Sequence, residues 1–400
     1  MVQSPRIRDV ISTIRRRVKV SQTLQGIWLD GSVDPHFHGR NSIAEGDGRL
    51  EIILPLAAVE HESIVLIGNT NPPLLTATEA SQYISEAYRH LPGGVFPRLY
   101  AAPLLTDRTT PTMIYEMRQC RRVAFIKGFL SGVSNDGGHN VSNVRALQAT
   151  LIACHDNAID APPLPVHWHM ERKFDAHGSV IEMREREWYA IENDLALVLE
   201  IDPEGSHTVK HVSDARTIDR LRCYREKGFT VYAEIASHYL VRCHEDLYEG
   251  QGGGTAFNAH DLCWPIYKSR ASQLALTRAA LTGAAEGWAF FGSDCACHKN
   301  DPTRESDSKI TQRGVVCGGT AILPAVSKSI VIDLFVRNGE ALSLDAFLSG
   351  NARRAMGLPP ADTNALYVRE ERTIPESLNR KGVHIRPFMA GETYHWVRKE

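Results

Sequence analysis

Four hundred residues, 43% hydrophobic and 23% charged, exclude a disordered chain and leave room for one large barrel or two medium domains. A formal net charge of -2 gives no global field to draw in nucleic acid or an anionic membrane, so an anionic ligand would have to be recognised by a local pocket. The expected partner is a small molecule, with no nucleic acid and no membrane.

The chain opens on a basic stretch, Arg6–Lys19, in which Arg15, Arg16 and Arg17 stand in a row. Ile7, Val10, Ile11, Ile14 and Val18 recur at helical spacing and Asp9 breaks the positive charge, so a surface helix in an N-terminal extension (residues 1–25) is expected over a transit peptide. No apolar run approaches the roughly 18 residues that cross a bilayer. The 8 cysteines fall without framework spacing or a C-x-x-C pair, which predicts reduced thiols in the cytoplasm; Cys295 and Cys297 read as packing residues.

From residue 26 onward short β-branched runs alternate with longer amphipathic stretches, the pattern of βαβ units over a parallel sheet. The strands are expected at Ile27–Val33, Ile64–Ile67, Arg98–Ala102, Val123–Lys127, Leu164–His167, Thr208–His211, Val231–Ile235 and Ala289–Ser293. Helices are expected between them at Thr78–His90, Thr112–Arg121, Asn143–His155, Met183–Asn193, Ala215–Glu226 and Ala271–Leu281, with Ser142 and Ser213 as N-cap types and Gly228 as a C-terminal stop. That many strand–helix pairs predict an α/β fold, a (β/α)8 TIM barrel over residues 26–358, and the absence of G-x-G-x-x-G and P-loop motifs argues against a nucleotide cofactor. Glu249–Gly254 reads as a solvent loop or a lid, and residues 359–400 as a tail packed on the barrel.

The ionisable residues cluster at predicted strand ends. His36 and His38 follow strand one, Lys127 closes strand four, His167 strand five and His211 strand six, and Asp294 follows strand eight. Barrel enzymes gather their working groups at that end, and the period-two alternation of a strand lets His36 and His38 grip one ion together. Lys127 joins such a set only once it is uncharged; a lysine desolvated beside metal can lose its proton and take up carbon dioxide, giving a carbamate that bridges two ions.

Here the residues resemble a known family. The runs DPHFHGR (34–40), GNTNPP (68–73), FIKG (125–128), LPVH (164–167), KH (210–211), HDLCWPI (260–266), GSDCACH (292–298) and PFMAGET (387–393) look like the successive motifs of homodimeric bacterial-type dihydroorotases, members of the amidohydrolase superfamily. The match runs through nearly the whole chain in order, and the ordered set is far more specific than H-x-H alone.

The resemblance implies a zinc-dependent hydrolase that interconverts N-carbamoyl-L-aspartate and dihydroorotate in pyrimidine biosynthesis. His36, His38, carbamylated Lys127 and Asp294 would hold one Zn2+, and His167, His211 and the same Lys127 the second, with a shared hydroxide between the ions. Asp294 would move the proton. Arg40, Asn69 and His298 would bind the substrate carboxylate, Ser134 and Asn135 would stand in the mobile loop that closes over substrate, and Trp264 and Ala296 would border the ring. Trp264, Asn135, Asn258 and the stretch Ser308–Gly314 depart from the family pattern, and His169 adds an imidazole near His167. These departures leave open a related hydrolase of another carboxylated cyclic amide, imide or lactam, and beyond it a non-catalytic partner protein.

Overall fold

The computed structural model describes residues 26–42, 44, 48–130, 139–247, 261–297, 310–311, 314–315, 320–380 and 382–399. Arg6–Lys19, Ser134, Asn135, Glu249–Gly254, Asn258, His298 and most of Ser308–Gly314 lie outside the described residues.

Eight parallel strands carry the fold: Val33–Phe37, Ser63–Ile67, Arg98–Ala102, Ile126–Phe129, Val166–His169, Ser206–Val209, Thr230–Ala236 and Ala289–Gly292. The first three pair in order, and the fourth to eighth pair in order. Two short bridges join these arcs: Ala124 donates to the Ala101 carbonyl at 3.1 Å, and His38 donates to the Cys295 carbonyl at 3.1 Å. The ring is thereby closed, as a (β/α)8 barrel requires.

The first expected strand, Ile27–Val33, is two strands. Gly26–Asp30 buries Ile27 and Leu29 and leaves Trp28 63% exposed, the alternation of a sheet with one covered face. It pairs antiparallel with Asn364–Thr373, which pairs in turn with Thr393–Lys399. Val33–Phe37 is buried at every position, as a barrel strand is. Asp34, Pro35 and His36 give the barrel strand little strand composition, so the expected strand follows the apolar run before it and reaches only Val33. The fourth, fifth and sixth strands also shift by about two residues, because an apolar run marks burial whereas the ladder sets the strand.

The helices follow the expected order with changed edges. Ala77–Tyr88 begins on Thr76, whose hydroxyl accepts from the Glu79 amide while the Glu79 carboxylate accepts from the Thr76 amide, a capping box. Ala215–Glu226 matches expectation and stops before Gly228 at φ +95°. Its cap is Asp214; Ser213 instead donates to Glu187, whose carboxylate collects the Ser213 and Asp214 amides and the Thr217 hydroxyl. Ser142 likewise caps nothing and is tied to Asp107 through its amide at 2.9 Å. Asn143–His155 shortens to a 3-10 turn, Val144–Leu147, and a helix, Gln148–Ala153. Met183–Asn193 moves to Arg186–Ile201, interrupted by a π turn.

The C-terminal strand Thr393–Lys399 rests on the helix Pro324–Arg337, where the Ser329 hydroxyl accepts the amides of His395 and Trp396. Inside the barrel, Val33, Val65, Ile67, Phe125 and Phe290 form an apolar plug with Ala352 and Met356. The polar groups described next lie beyond that plug, at the C-terminal ends of the strands.

Candidate metal centre

His36 lies within the first barrel strand and His38 just past its end; Lys127 lies within the fourth; His169 ends the fifth; His211 and Asp294 stand just beyond the sixth and eighth. Arg40, His211 and Asp294 have positive φ (59°, 38° and 48°), a region that costs a residue with a Cβ about 1–2 kcal/mol. With Met389 they are the only non-glycine residues of that kind among those described. Three of these four stand just past the C-terminal end of a barrel strand.

His36, His38 and Asp294 offer ligand atoms that all lie within 4.8 Å of one another. One Asp294 oxygen is 3.3 Å from His36 Nε2 and 3.3 Å from His38 Nε2, and the two Nε2 atoms are 3.2 Å apart. Beyond them the His211 ring stacks at 5.2 Å from that of His36. Burial first, and then the charges of Lys127 and Lys210, hold His36 well below the ordinary imidazole pKa; burial and neighbouring cations do the same to His211. Burial pushes Asp294 up, but the hydrogen bond and charge of His38 outweigh it and leave Asp294 below the usual carboxylate value. Neutral imidazoles facing an ionised carboxylate are a donor set suited to a divalent cation.

The ring that meets His211 is His169, with Nδ1 2.9 Å from His211 Nε2. The expectation for this place was His167. That ring lies flat on Phe125 at 3.7 Å, faces Phe290 at 6.4 Å, and has no hydrogen-bond partner at either nitrogen. Both histidines point to the same side of the strand, and His169 is one step closer to the mouth. Lys127 is fully buried, and its Nζ has no hydrogen-bond partner. Burial, and then the charge of Lys210, drive its pKa well below the ordinary lysine value. A fully buried amine with no hydrogen-bond partner fits the bridging role expected of Lys127.

Known proteins resemble the chain as a whole. No family model matches the chain. It is 26% identical over 373 residues to the dihydroorotase of Idiomarina loihiensis, covering 93% of this chain and 99% of that one. The crystal structure of Saccharomyces cerevisiae dihydroorotase with 5-fluoroorotic acid superposes with a TM-score of 0.79 at 20% identity, over 94% of this chain and 99% of that one. L-hydantoinase (dihydropyrimidinase) from Arthrobacter aurescens follows with a TM-score of 0.69 at 16% identity, over 93% of this chain and 83% of that one. The chain is dihydroorotase-like in sequence and fold.

Of the substrate groups expected in a dihydroorotase-like site, Arg40 and Asn69 are together: Arg40 Nη1 donates to the Asn69 carbonyl at 3.1 Å, and the Tyr83 hydroxyl holds the Arg40 carbonyl at 2.6 Å. Asn69 also has a role that sequence reasoning missed, because its Oδ1 lies 2.7 Å from His38 Nδ1 and so leaves Nε2 to face Asp294. Trp264 is half-buried against the core under the Arg186 guanidinium, 5.6 Å from its ring centre. The Ala296 amide is spent on the Thr320 carbonyl at 2.9 Å. Cys295 and Cys297 are buried free thiols in an apolar cluster, as expected of packing residues.

Carboxylates behind the rings were missed as well. Glu171 lies 2.8 Å from His169 Nε2, so His169 presents Nδ1 inward. Asp34 accepts from the His36 and Ser293 amides at 3.1 and 3.0 Å, tying strand one to strand eight beside Asp294. The available signal was a charged residue in an otherwise apolar run, as at Glu234, or an acid two residues past a histidine, as at Glu171.

Proposed function

We propose that this chain is a zinc-dependent amidohydrolase that opens and closes a cyclic amide bearing a carboxylate, and that its substrate pair is dihydroorotate and N-carbamoyl-L-aspartate in pyrimidine biosynthesis. The observation that carries the reading is the convergence of His36, His38 and Asp294 within 4.8 Å at the barrel mouth, beside the His169–His211 pair and the orphaned Lys127 amine. His36, His38, Asp294 and carbamylated Lys127 would hold one ion; His169, in place of His167, would join His211 and Lys127 at the other. Bound there, the ions would make a nucleophile of water at neutral pH and polarise the scissile carbonyl.

The chain's own residues supply the remainder. Asp294, ionised at neutral pH, takes the proton of the attacking water and returns it to the departing amide nitrogen; ring closure reverses the transfer. Arg40, held by Asn69 and Tyr83, offers a guanidinium fork to the substrate carboxylate, with Asn69 at its side. Ser134, Asn135 and His298 complete the substrate site in this proposal, and the expected assembly is a homodimer.

The test is a steady-state assay in both directions with dihydroorotate and carbamoyl aspartate, together with metal analysis of protein purified without chelator. Turnover of both with about two zinc ions per chain is expected. Two zinc ions with turnover only of another cyclic amide from a substrate panel would move the assignment to that substrate; a metal-free, inert protein would overturn it.

A further inference from the structure

We propose that Glu234 and Lys210, paired inside the barrel, act as positioning residues for His36: Glu234 holds its Nδ1–H and so aims its Nε2 at the metal, while Lys210 fixes Glu234 and the backbone beside His36. This deepens the metal-centre reading and rests on it.

Glu234 comes from the seventh strand and Lys210 follows the sixth; with His36 all three are at most 1% exposed. Glu234 Oε1 is 2.5 Å from His36 Nδ1, and Glu234 Oε2 is 2.5 Å from Lys210 Nζ. Lys210 Nζ also donates to the Pro35 carbonyl at 2.9 Å. The pair therefore grips His36 twice, by its ring and by the residue before it. A carboxylate without its proton can only accept, so the Nδ1 it meets carries the hydrogen and the Nε2 lone pair is left to face His38 and Asp294.

Two further observations set this pair apart from an ordinary buried ion pair. Such pairs seldom stabilise a fold beyond what apolar residues of the same size would, so stability alone does not account for one here. The barrel also makes room for it: a Cβ on Gly292 in the eighth strand would meet Glu234 Cδ at 2.3 Å and Oε2 at 2.6 Å. The inner face of that strand gives up a side chain where the carboxylate sits. His38 and His169 are pinned in the same manner by Asn69 and Glu171. Among these three acceptors Glu234 is the one bonded to a lysine.

The experiment compares full-length wild type with E234L/K210M, which removes both charges and refills the space. Zinc affinity is read by chelator competition and the His36 tautomer by nitrogen NMR of the metal-free, histidine-labelled protein. The double variant is expected to keep the wild-type melting temperature, lose about 10- to 100-fold in zinc affinity, and lose the exclusive Nδ1–H form at His36; K210R is expected to keep both. Unchanged affinity and tautomer in E234L/K210M would overturn the proposal. If that variant does not fold, G292A is read instead, since its methyl drives the carboxylate from His36; the same loss is expected, and unchanged affinity overturns. A wild type that binds no zinc would sink the metal-centre reading, whereas the metal-free tautomer would still decide what Glu234 does to His36.

Discussion

In the variant H169A the proposed second group of ligands loses the ring nitrogen that lies 2.9 Å from His211 Nε2. A zinc ion in a closed four-ligand site gains about 10–16 kcal/mol, so one ligand is worth about 3 kcal/mol, or roughly 100-fold in affinity. H169A should therefore hold about one zinc ion after dialysis at a fixed low zinc concentration, where wild type holds about two. The matched control is H167F. His167 is fully buried with both nitrogens unpartnered, a condition that costs about 1–3 kcal/mol, and phenylalanine preserves the flat stack on Phe125 while removing that cost. H167F should keep both ions and hold or raise the melting temperature. Metal content by mass spectrometry and a thermal melt on each variant suffice. An H167F protein that loses an ion, beside an H169A protein that keeps two, would refute the assignment.

Further outcomes are expected. K127A should lose turnover and fall below two zinc ions per chain, because the buried Lys127 amine has no hydrogen-bond partner and so is left for the ions, whereas Lys210 is engaged by Glu234 and the Pro35 carbonyl; normal turnover would remove it from the site. R40A should leave the metal content alone and lower kcat/KM about 10- to 100-fold, mostly through KM, as a lost charge-assisted contact does; a wild-type KM would count against the carboxylate role. Away from the site, burial raises the Asp345 pKa to about 6, although its carboxylate accepts the Asp30 amide. A raised carboxylate favours folding while protonated. The stability it allows at low pH is lost as pH climbs from about 4 through about 6, by at most about 3 kcal/mol. D345N should flatten that part of the unfolding profile, and an unchanged profile would dismiss the shift.

The sequence made the barrel legible because burial of both strand faces leaves continuous apolar runs, and seven of the eight barrel strands overlap the expected stretches by more than a residue. Val33–Phe37 was displaced because Asp34, Pro35 and His36 hide a strand whereas its neighbour Gly26–Asp30 is apolar, and that neighbour's pairing across more than 300 residues leaves no local mark. Ser142 and Ser213 are good cap types, but Asp107 and Glu187, distant in sequence, claim them first. His36, His38, Lys127, His211 and Asp294 were legible because each stands at or near the end of a strand whose period was already read.

What composition could not supply was depth along the barrel axis. His167 and His169 share a face, so the alternation that predicts one inward predicts the other. Only the height of the apolar plug separates them: Phe125 reaches His167, and His169 is left for His211. The same limit hides the acceptors behind the rings, since Glu234, Asn69 and Glu171 come from three different strand ends and meet their imidazoles only after the barrel has closed. An imidazole has two nitrogens, and the sequence names neither as the ligand. The far nitrogen decides, and its partner is a tertiary fact. His36 and His38 present Nε2 while His169 presents Nδ1, so a metal-binding pattern read as residue types becomes a site only when each ring's second bond is known.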